Sequence, residues 1–150
     1  MTSYDIKSSF GYFPLFAGFS KSALNPAQTG STTKTSPVVA AAAGSYAISA
    51  ETLTGGYLSY DPSGGAANAT LPSASDVLAI IGNSPYTSFR FIIENKADAS
   101  ETITLTNGGD SNNNLVGTMT IAQDRAREFV IYVKDNDELT ITTTGTYNPT

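Results

Sequence analysis

The sequence predicts a small all-β protein, an antiparallel β-sandwich with one short helix and an extended N-terminal arm. Two observations support this. Beyond residue 45 the chain consists of short runs of β-forming residues separated by turn residues. Before residue 45, Pro and Gly recur so often among aromatic residues that neither a regular helix nor a regular strand is expected. The length of 150 residues suits one compact domain with such an arm.

The β runs show two patterns. Thr102–Thr106 and Leu139–Thr142 alternate apolar and hydroxyl side chains, which is typical of a half-buried strand. Phe89–Ile93 and Val130–Val133 are richer in bulky residues and indicate central strands. The predicted strands are Thr52–Tyr60, Ala66–Leu71, Ser88–Glu94, Thr102–Thr106, Leu115–Ile121, Glu128–Lys134 and Glu138–Thr143. Their order stays open between a jelly roll and an immunoglobulin-like sandwich.

Local signals place one hairpin turn and one helix. Asn107-Gly108 is a strong two-residue hairpin signal. Ser73 or Ser75 can cap a helix that contains Val77–Ile81, with Asp76 completing a capping box and Gly82 ending the helix. We expect about two turns of helix, lying across one end of the sandwich.

Residues 1–45 are predicted to form the arm, and residues 46–150 the sandwich domain. The arm is rich in aromatic residues, whereas a disordered tail is usually poor in them. These rings could cover the edge of the domain's own core, but a long and irregular aromatic segment favours docking on a neighbouring subunit or another protein. The candidate partner-binding residues are Phe10, Tyr12, Phe13, Phe16 and Phe19.

Composition excludes several classes of chemistry. Cys, His and Trp are absent, so thiol nucleophiles, imidazole bases, disulfides and His or Cys metal sites are impossible. The net charge of −5 argues against a nucleic-acid partner. The apolar stretches are too short to cross a bilayer, so no membrane is expected. Thr and Ser together supply 37 of the 150 residues, which predicts a hydroxyl-rich surface of low charge.

Paired carboxylates are the remaining candidates for general acid–base catalysis, and one adjacent set lies in a turn between two predicted strands. Asp135, Asp137 and Glu138 are adjacent, but a glycosidase needs two carboxylates facing each other across a cleft. The loop Asp110–Asn114 resembles oxygen-rich calcium loops without their full pattern, so calcium binding stays open. We therefore predict that the protein is not an enzyme and uses no cofactor, metal or small-molecule substrate.

Several stretches together resemble a known class of viral proteins. The first block is Leu53-Thr-Gly-Gly-Tyr-Leu-Ser-Tyr-Asp-Pro62 followed by Ala69-Thr-Leu-Pro-Ser-Ala-Ser75, which leads into the predicted helix. The second is Ser88-Phe-Arg-Phe-Ile-Ile-Glu-Asn95, followed by Thr102–Thr106, Leu115–Ile121 and Phe129–Val133. The order of these motifs over about residues 50–135 resembles the small β-sandwich decoration, or cement, proteins on capsids of tailed phages and other large double-stranded DNA viruses.

The resemblance implies a function and a location. It implies a structural virion protein on the outer capsid surface, a homotrimer that binds the major capsid protein and bridges its subunits to stabilise the shell. Arms of such proteins commonly tie neighbouring capsid subunits together, which agrees with the role inferred for the aromatic arm.

The alternative function is a receptor- or glycan-binding knob or fibre domain of a virion. Loop residues would then meet the ligand, and the candidates are Tyr60, Asn107, Asp110 and Asn112–Asn114. The sequence leaves open the virus, the host and the oligomeric state.

Overall fold

A computed structural model describes residues 38–41, 44–134 and 137–149. Within these ranges the chain forms ten strands and two helices, and the strands make two sheets. The predicted sheet-rich fold is therefore confirmed.

The large sheet has six strands and the small sheet has four. In the order in which they lie side by side, the strands of the large sheet are β1 (Val38–Ala41), β3 (Tyr57–Asp61), β5 (Ser88–Asn95), β9 (Ala126–Val133), β10 (Leu139–Tyr147) and β7 (Asn113–Val116). Those of the small sheet are β2 (Tyr46–Ala47), β4 (Ala67–Thr70), β6 (Ile103–Thr106) and β8 (Thr120–Ile121).

The predicted antiparallel pairing holds for only part of the two sheets. Of the eight pairings between described strands, β5–β9, β9–β10 and β6–β8 are antiparallel. The other five, β1–β3, β3–β5, β2–β4, β4–β6 and β7–β10, are parallel. The reason lies in the path of the chain, because from β1 to β9 consecutive strands alternate between the sheets. A strand's neighbour is then often the strand two places along, which runs in the same direction.

The hairpin predicted at Asn107-Gly108 is wrong. Strand β6 before this turn lies in the small sheet, and β7 after it lies in the large sheet. The turn itself forms, with the backbone N–H of Gly109 donating to the Asn107 side chain (3.1 Å) and Gly108 at φ +68°. A Cβ at Gly108 would lie 2.9 Å from the Thr70 methyl group, so the turn passes close over β4. The Asn-Gly turn therefore lies in a connection from the small sheet to the large sheet.

The predicted helix is confirmed as α2 (Ala74–Ile81). Ser73 is its N-cap, and its hydroxyl accepts the backbone N–H of Asp76 (3.2 Å) and donates to the Asp76 carboxylate (2.6 Å). Gly82 follows at φ +82°, a conformation that glycine adopts at little cost. The Ser73 cap and the terminal glycine therefore define the helix as the sequence indicates, with the Asp76 carboxylate bonded to the Ser73 hydroxyl.

A second helix, α1 (Ala50–Gly55), replaces the first half of the strand predicted at Thr52–Tyr60. The Ser49 hydroxyl accepts the backbone N–H of Thr52 (3.2 Å), and Gly56 ends the helix at φ +89°. Thr52 is buried on this helix, so tertiary packing outweighs the β propensity of threonine.

Both sheets and both helices contribute to one hydrophobic core. The alternation of apolar and hydroxyl residues along a strand determines which side chains enter the core. In β6, Ile103 and Leu105 are buried, whereas Thr104 and Thr106 are only partly buried. The largest fully buried side chains are Tyr60, Phe91, Phe129, Leu53, Leu58, Ile81, Ile93, Ile103, Leu105, Ile121, Ile131 and Leu139.

A buried amide, Asn95, connects the two sheets at the end of β5. Its Nδ2 donates to the carbonyl oxygens of Glu101 (3.0 Å) and of Ile121 in β8 (3.1 Å). Its Oδ1 accepts the backbone N–H of Ala97 (3.0 Å). The side chain is fully buried and uses both its donors and its acceptor. It therefore joins the large sheet, the following loop and the small sheet.

The segment predicted as the arm, residues 1–45, is described only at its C-terminal end. Val38–Ala41 form β1 at an edge of the large sheet, where Val38 pairs with Leu58. Residues 1–37 lie outside the described residues. Neither helix in the described part of the chain is long and apolar enough to cross a membrane.

Replacing Asn95 with Asp tests the connection between the sheets. Asn95→Asp removes both N–H donors, leaves two buried carbonyl groups unsatisfied and places a charge in the core. We expect the free energy of unfolding to fall by about 3 kcal/mol, as measured by urea denaturation. The control is Asn114→Asp, which makes the same change at an exposed residue of β7. Equal denaturation midpoints for the two variants would refute the role of Asn95.

Candidate functional site

The outward face of the small sheet is a row of uncharged polar side chains, which we call the threonine face. It consists of Asn68 and Thr70 of β4, Thr104 and Thr106 of β6, and Thr120 of β8. All five side chains are exposed or partly exposed. Nothing in this set carries a charge, so the face offers hydroxyl and amide groups for hydrogen bonding.

Strand register aligns these side chains. Asn68 pairs with Thr104, and Thr104 pairs with Thr120, so the three form one row across the sheet. Thr70 pairs with Thr106 in a second row. The hydroxyl groups are 3.3 Å apart both between Thr104 and Thr120 and between Thr106 and Thr70. Cross-strand hydroxyl pairs of this kind contribute to the stability of the sheet.

A cleft of about 540 Å³ lies where α1 and α2 meet. Apolar side chains line much of it, including Ile48 before α1 and Ile80 of α2. Two carboxylate residues, Glu51 and Asp76, also line it. The cleft therefore combines an apolar surface with negative charge.

The Asp110–Asn114 loop, a candidate calcium site in the sequence, holds the start of α2. One Asp110 carboxylate oxygen accepts the backbone N–H of Ala74 (2.8 Å), and the other accepts that of Asn112 (2.9 Å). These two hydrogen bonds lower the pKa of the Asp110 carboxyl below its ordinary value of 3.8. Asn113 is buried and donates to the carbonyl oxygen of Pro72 (2.8 Å). Asp110 and Asn113 thus stabilise the start of α2 and the residue before its cap through hydrogen bonds.

Two other residues proposed for ligand contact also have structural positions. Tyr60 is fully buried, and its hydroxyl donates to the carbonyl oxygen of Gly44, so its placement in a ligand-binding loop is wrong. Asn107 accepts a backbone N–H in its own turn, as described above. Asn112 and Asn114 are exposed.

The turn carboxylates do not form a paired acid–base site in the part that the structure describes. Glu138 pairs with Lys134 across the turn (3.0 Å), and Asp137 accepts a hydrogen bond from the Asn83 amide. Asp135 lies outside the described residues. Among the described residues, no three Asp or Glu side chains lie close enough to hold a metal ion.

Sequence reasoning missed a buried carboxylate, Glu94, on β5. Its two oxygens interact with the Lys96 ammonium (2.7 Å) and the Tyr57 hydroxyl. Burial acts to raise the pKa of Glu94, but the hydrogen bonds from Lys96, Tyr57 and Ser59 and the charge of Lys96 bring it below its ordinary value of 4.5. The sequence signal that could have indicated the ion pair of Glu94 was Lys96, two residues further along the chain.

The five arm residues proposed as partner anchors lie outside the described residues. They are Phe10, Tyr12, Phe13, Phe16 and Phe19. Their role stays a prediction.

Comparison with known proteins gives no significant match to a protein-family model, a curated protein or a solved structure. The functional argument therefore depends on the residues themselves.

Removing the Asp110 carboxylate tests whether its hydrogen bonds stabilise the loop and the start of α2. Asp110→Ala leaves the N–H groups of Ala74 and Asn112 without these acceptors, and we expect the free energy of unfolding to fall by about 1–2 kcal/mol. Asp98→Ala, at an exposed position in another loop, is the control. A melting temperature of the unmodified protein that rises with calcium and falls with EDTA would instead establish a calcium site.

Acid should weaken the contribution of Glu94 to stability. Its pKa is lower in the folded protein than in the unfolded chain, so its contribution is complete above about pH 4.5 and is lost as the pH falls through the folded pKa. We expect Glu94→Gln to be less stable than the unmodified protein at pH 7, with the difference shrinking below pH 4.5. Denaturation series from pH 7 to pH 3 measure this, and a constant difference would contradict it.

Proposed function

We propose that the protein is a structural virion protein, a capsid decoration protein that binds the outer capsid surface. In this function it bridges subunits of the major capsid protein and stabilises the shell, acting as a homotrimer without catalytic activity. The class comes from the resemblance of residues 50–135 to decoration proteins, and the following features support it.

The main structural observation in support of the proposal is the threonine face. An uncharged row of hydroxyl groups can exchange hydrogen bonds with another protein without the cost of removing charges from water. Each contact contributes little, but many copies on a repetitive lattice bind with avidity when copies are linked. Such a face suits a protein whose partner is a large, regular surface.

The aromatic arm supplies the second contact. Aromatic side chains bury large apolar areas and are enriched at the centres of protein interfaces. In this proposal Phe10, Tyr12, Phe13, Phe16 and Phe19 anchor the arm on a neighbouring capsid subunit. The polar face would then set the position of the domain, and the arm would provide most of the affinity.

The motifs that carry the resemblance lie next to or within regular elements. The Thr70-Leu-Pro72 step comes immediately before α2, and the Phe-rich strand β5 ends in Glu94-Asn95. We further propose that the two sheets pack face to face as a sandwich, since both contribute to the single core.

The alternative of a receptor- or glycan-binding knob has less support. Tyr60 is buried, and Asp110 and Asn113 are engaged in hydrogen bonds that hold α2 and its preceding loop. Of the ligand-contact candidates, Asn112 and Asn114 keep exposed side chains.

The proposal is tested by binding of purified protein to shells assembled from the major capsid protein of the same genome. Replacing the four aromatic residues from Phe10 to Phe16 with serine should reduce occupancy at least tenfold, since the anchors are lost. Replacing Thr32 and Thr33 with alanine, also before residue 38, is the matched control. Full occupancy by the serine variant would reject the arm as the anchor.

The threonine face and the trimer are tested with the same material. Thr104→Lys with Thr120→Lys places two charges in the face and should weaken binding, whereas Ser88→Lys, exposed on the large sheet, should not. Light scattering should give about 47 kDa, three times the chain mass of 15.6 kDa. Unchanged binding by the double variant would remove the face from the interface.

A further inference from the structure

The cleft between α1 and α2 exposes an apolar surface that the described part of the chain leaves open. Ile80 of α2 is 36% exposed, a large value for an isoleucine in a folded domain. It lines the cleft with Ala79, which is also exposed, and with Ile48 and Ala50, which are buried. An apolar surface of this kind gains free energy when another apolar side chain covers it.

The same cleft carries unneutralised negative charge. Glu51 and Asp76 line it and are exposed, and neither α1 nor α2 contains a lysine or arginine. The ion pairs in the described ranges involve other carboxylates, those of Glu94, Glu128 and Glu138. The occupant that fits best therefore combines an apolar side chain with a cation.

The chain itself contains such a segment. Residues 1–37 have three lysines and one acid, a net charge of +2, whereas residues 38–150 have five cations and twelve acids, a net charge of −7. Within the cationic part, Phe19 and Lys21 are two residues apart. In an extended backbone, side chains at i and i+2 point to the same side. Phe19 and Lys21 can thus meet an apolar surface and its acidic rim together.

The connection between this segment and the domain is long enough to reach the cleft. Val38 pairs with Leu58 of β3, the strand that directly follows α1, and α1 forms one side of the cleft. Lys21 precedes Val38 by 17 residues, which can span up to about 60 Å when extended. Covalent attachment gives the segment an effective concentration in the millimolar range.

We propose that residues Phe19–Lys21 occupy the cleft of their own chain, with Phe19 on its apolar surface and Lys21 beside Glu51 and Asp76. This refines the proposed decoration function. It changes one part of that function, because it moves Phe19 from the capsid contact to the chain's own domain and leaves Phe10, Tyr12, Phe13 and Phe16 for the capsid. The cleft would then set the direction in which the rest of the arm leaves the domain.

Fluorescence of the full chain tests the site in the absence of any capsid. Because the protein contains no tryptophan, Phe19→Trp introduces a single reporter. We expect its emission to be blue-shifted, and to move to the wavelength of water-exposed tryptophan when Ile80→Asp is added. Phe10→Trp, with and without Ile80→Asp, is the matched control and should not respond. Water-exposed emission from Phe19→Trp alone would overturn the proposal.

Charge exchange tests the role of Lys21. In the Phe19→Trp background, Lys21→Glu or Glu51→Lys alone should shift the emission to the red, and the two together should restore it. Circular dichroism confirms that Glu51→Lys remains folded. Two single variants with unchanged emission would remove Lys21 from the site.

Zero-length cross-linking identifies the chain that supplies the segment. A carbodiimide joins a lysine to a carboxylate in direct contact, and an equal mixture of unlabelled and ¹⁵N-labelled full chains distinguishes links within one chain from links between chains. We expect Lys21 linked to Glu51 or Asp76 with both peptides carrying the same label. Mixed-label links would overturn the assignment to the same chain. Since no capsid is present, failure here leaves the capsid-binding result unaffected.

Discussion

The hydrogen bonds of one buried amide, that of Asn95, hold together the end of β5, the loop that follows it and strand β8 of the other sheet. Asn95 bonds to the loop after it and to Ile121 of the opposite sheet, and it does so with every polar group of its side chain. A hydrophobic residue could fill the volume but could not satisfy the two carbonyl groups that the loop and β8 direct into the core. The packing of the two sheets around this point therefore depends on a polar residue in an otherwise apolar interior.

Local patterns in the sequence predicted the elements better than their arrangement. Ser73, Asp76 and Gly82 act within a few residues of one another, so the helix they define could be identified from the sequence. Most strand positions followed from short runs of β-forming residues for the same reason, but the strand predicted at Leu115–Ile121 is divided between β7 and β8, which lie in different sheets. Pairing is different, because the neighbour of β3 in the large sheet is β5, more than 25 residues away, and no short-range pattern encodes that choice. The helix α1 was missed since its threonines favour strands locally and are held in a helix by a cap and by burial.

The candidate sites show the same difference between features that local sequence patterns predict and features that depend on distant parts of the chain. The threonine face follows from alternation in Thr102–Thr106, and the hydroxyl-rich surface was expected from composition. The cleft was not, because its two walls come from helices about 20 residues apart in the chain. At Asp110 the oxygen-rich loop left calcium binding open, and the structure shows its carboxylate accepting two backbone N–H groups, one at the start of α2 and one in its own loop. These have the partial positive charge that also attracts carboxylates.

The alternation of the chain between two sheets also constrains how the protein folds as it is synthesised. Among the described strands, β9 and β10 are the one pair that are neighbours both in sequence and in a sheet, and they are the last two. Every other pairing must close a longer loop, which slows folding. The strand β5 in the middle of the large sheet acquires its second partner only when β9 has been made. We therefore expect the nascent chain to remain without its complete large sheet until the residues of β9 and β10 have left the ribosome.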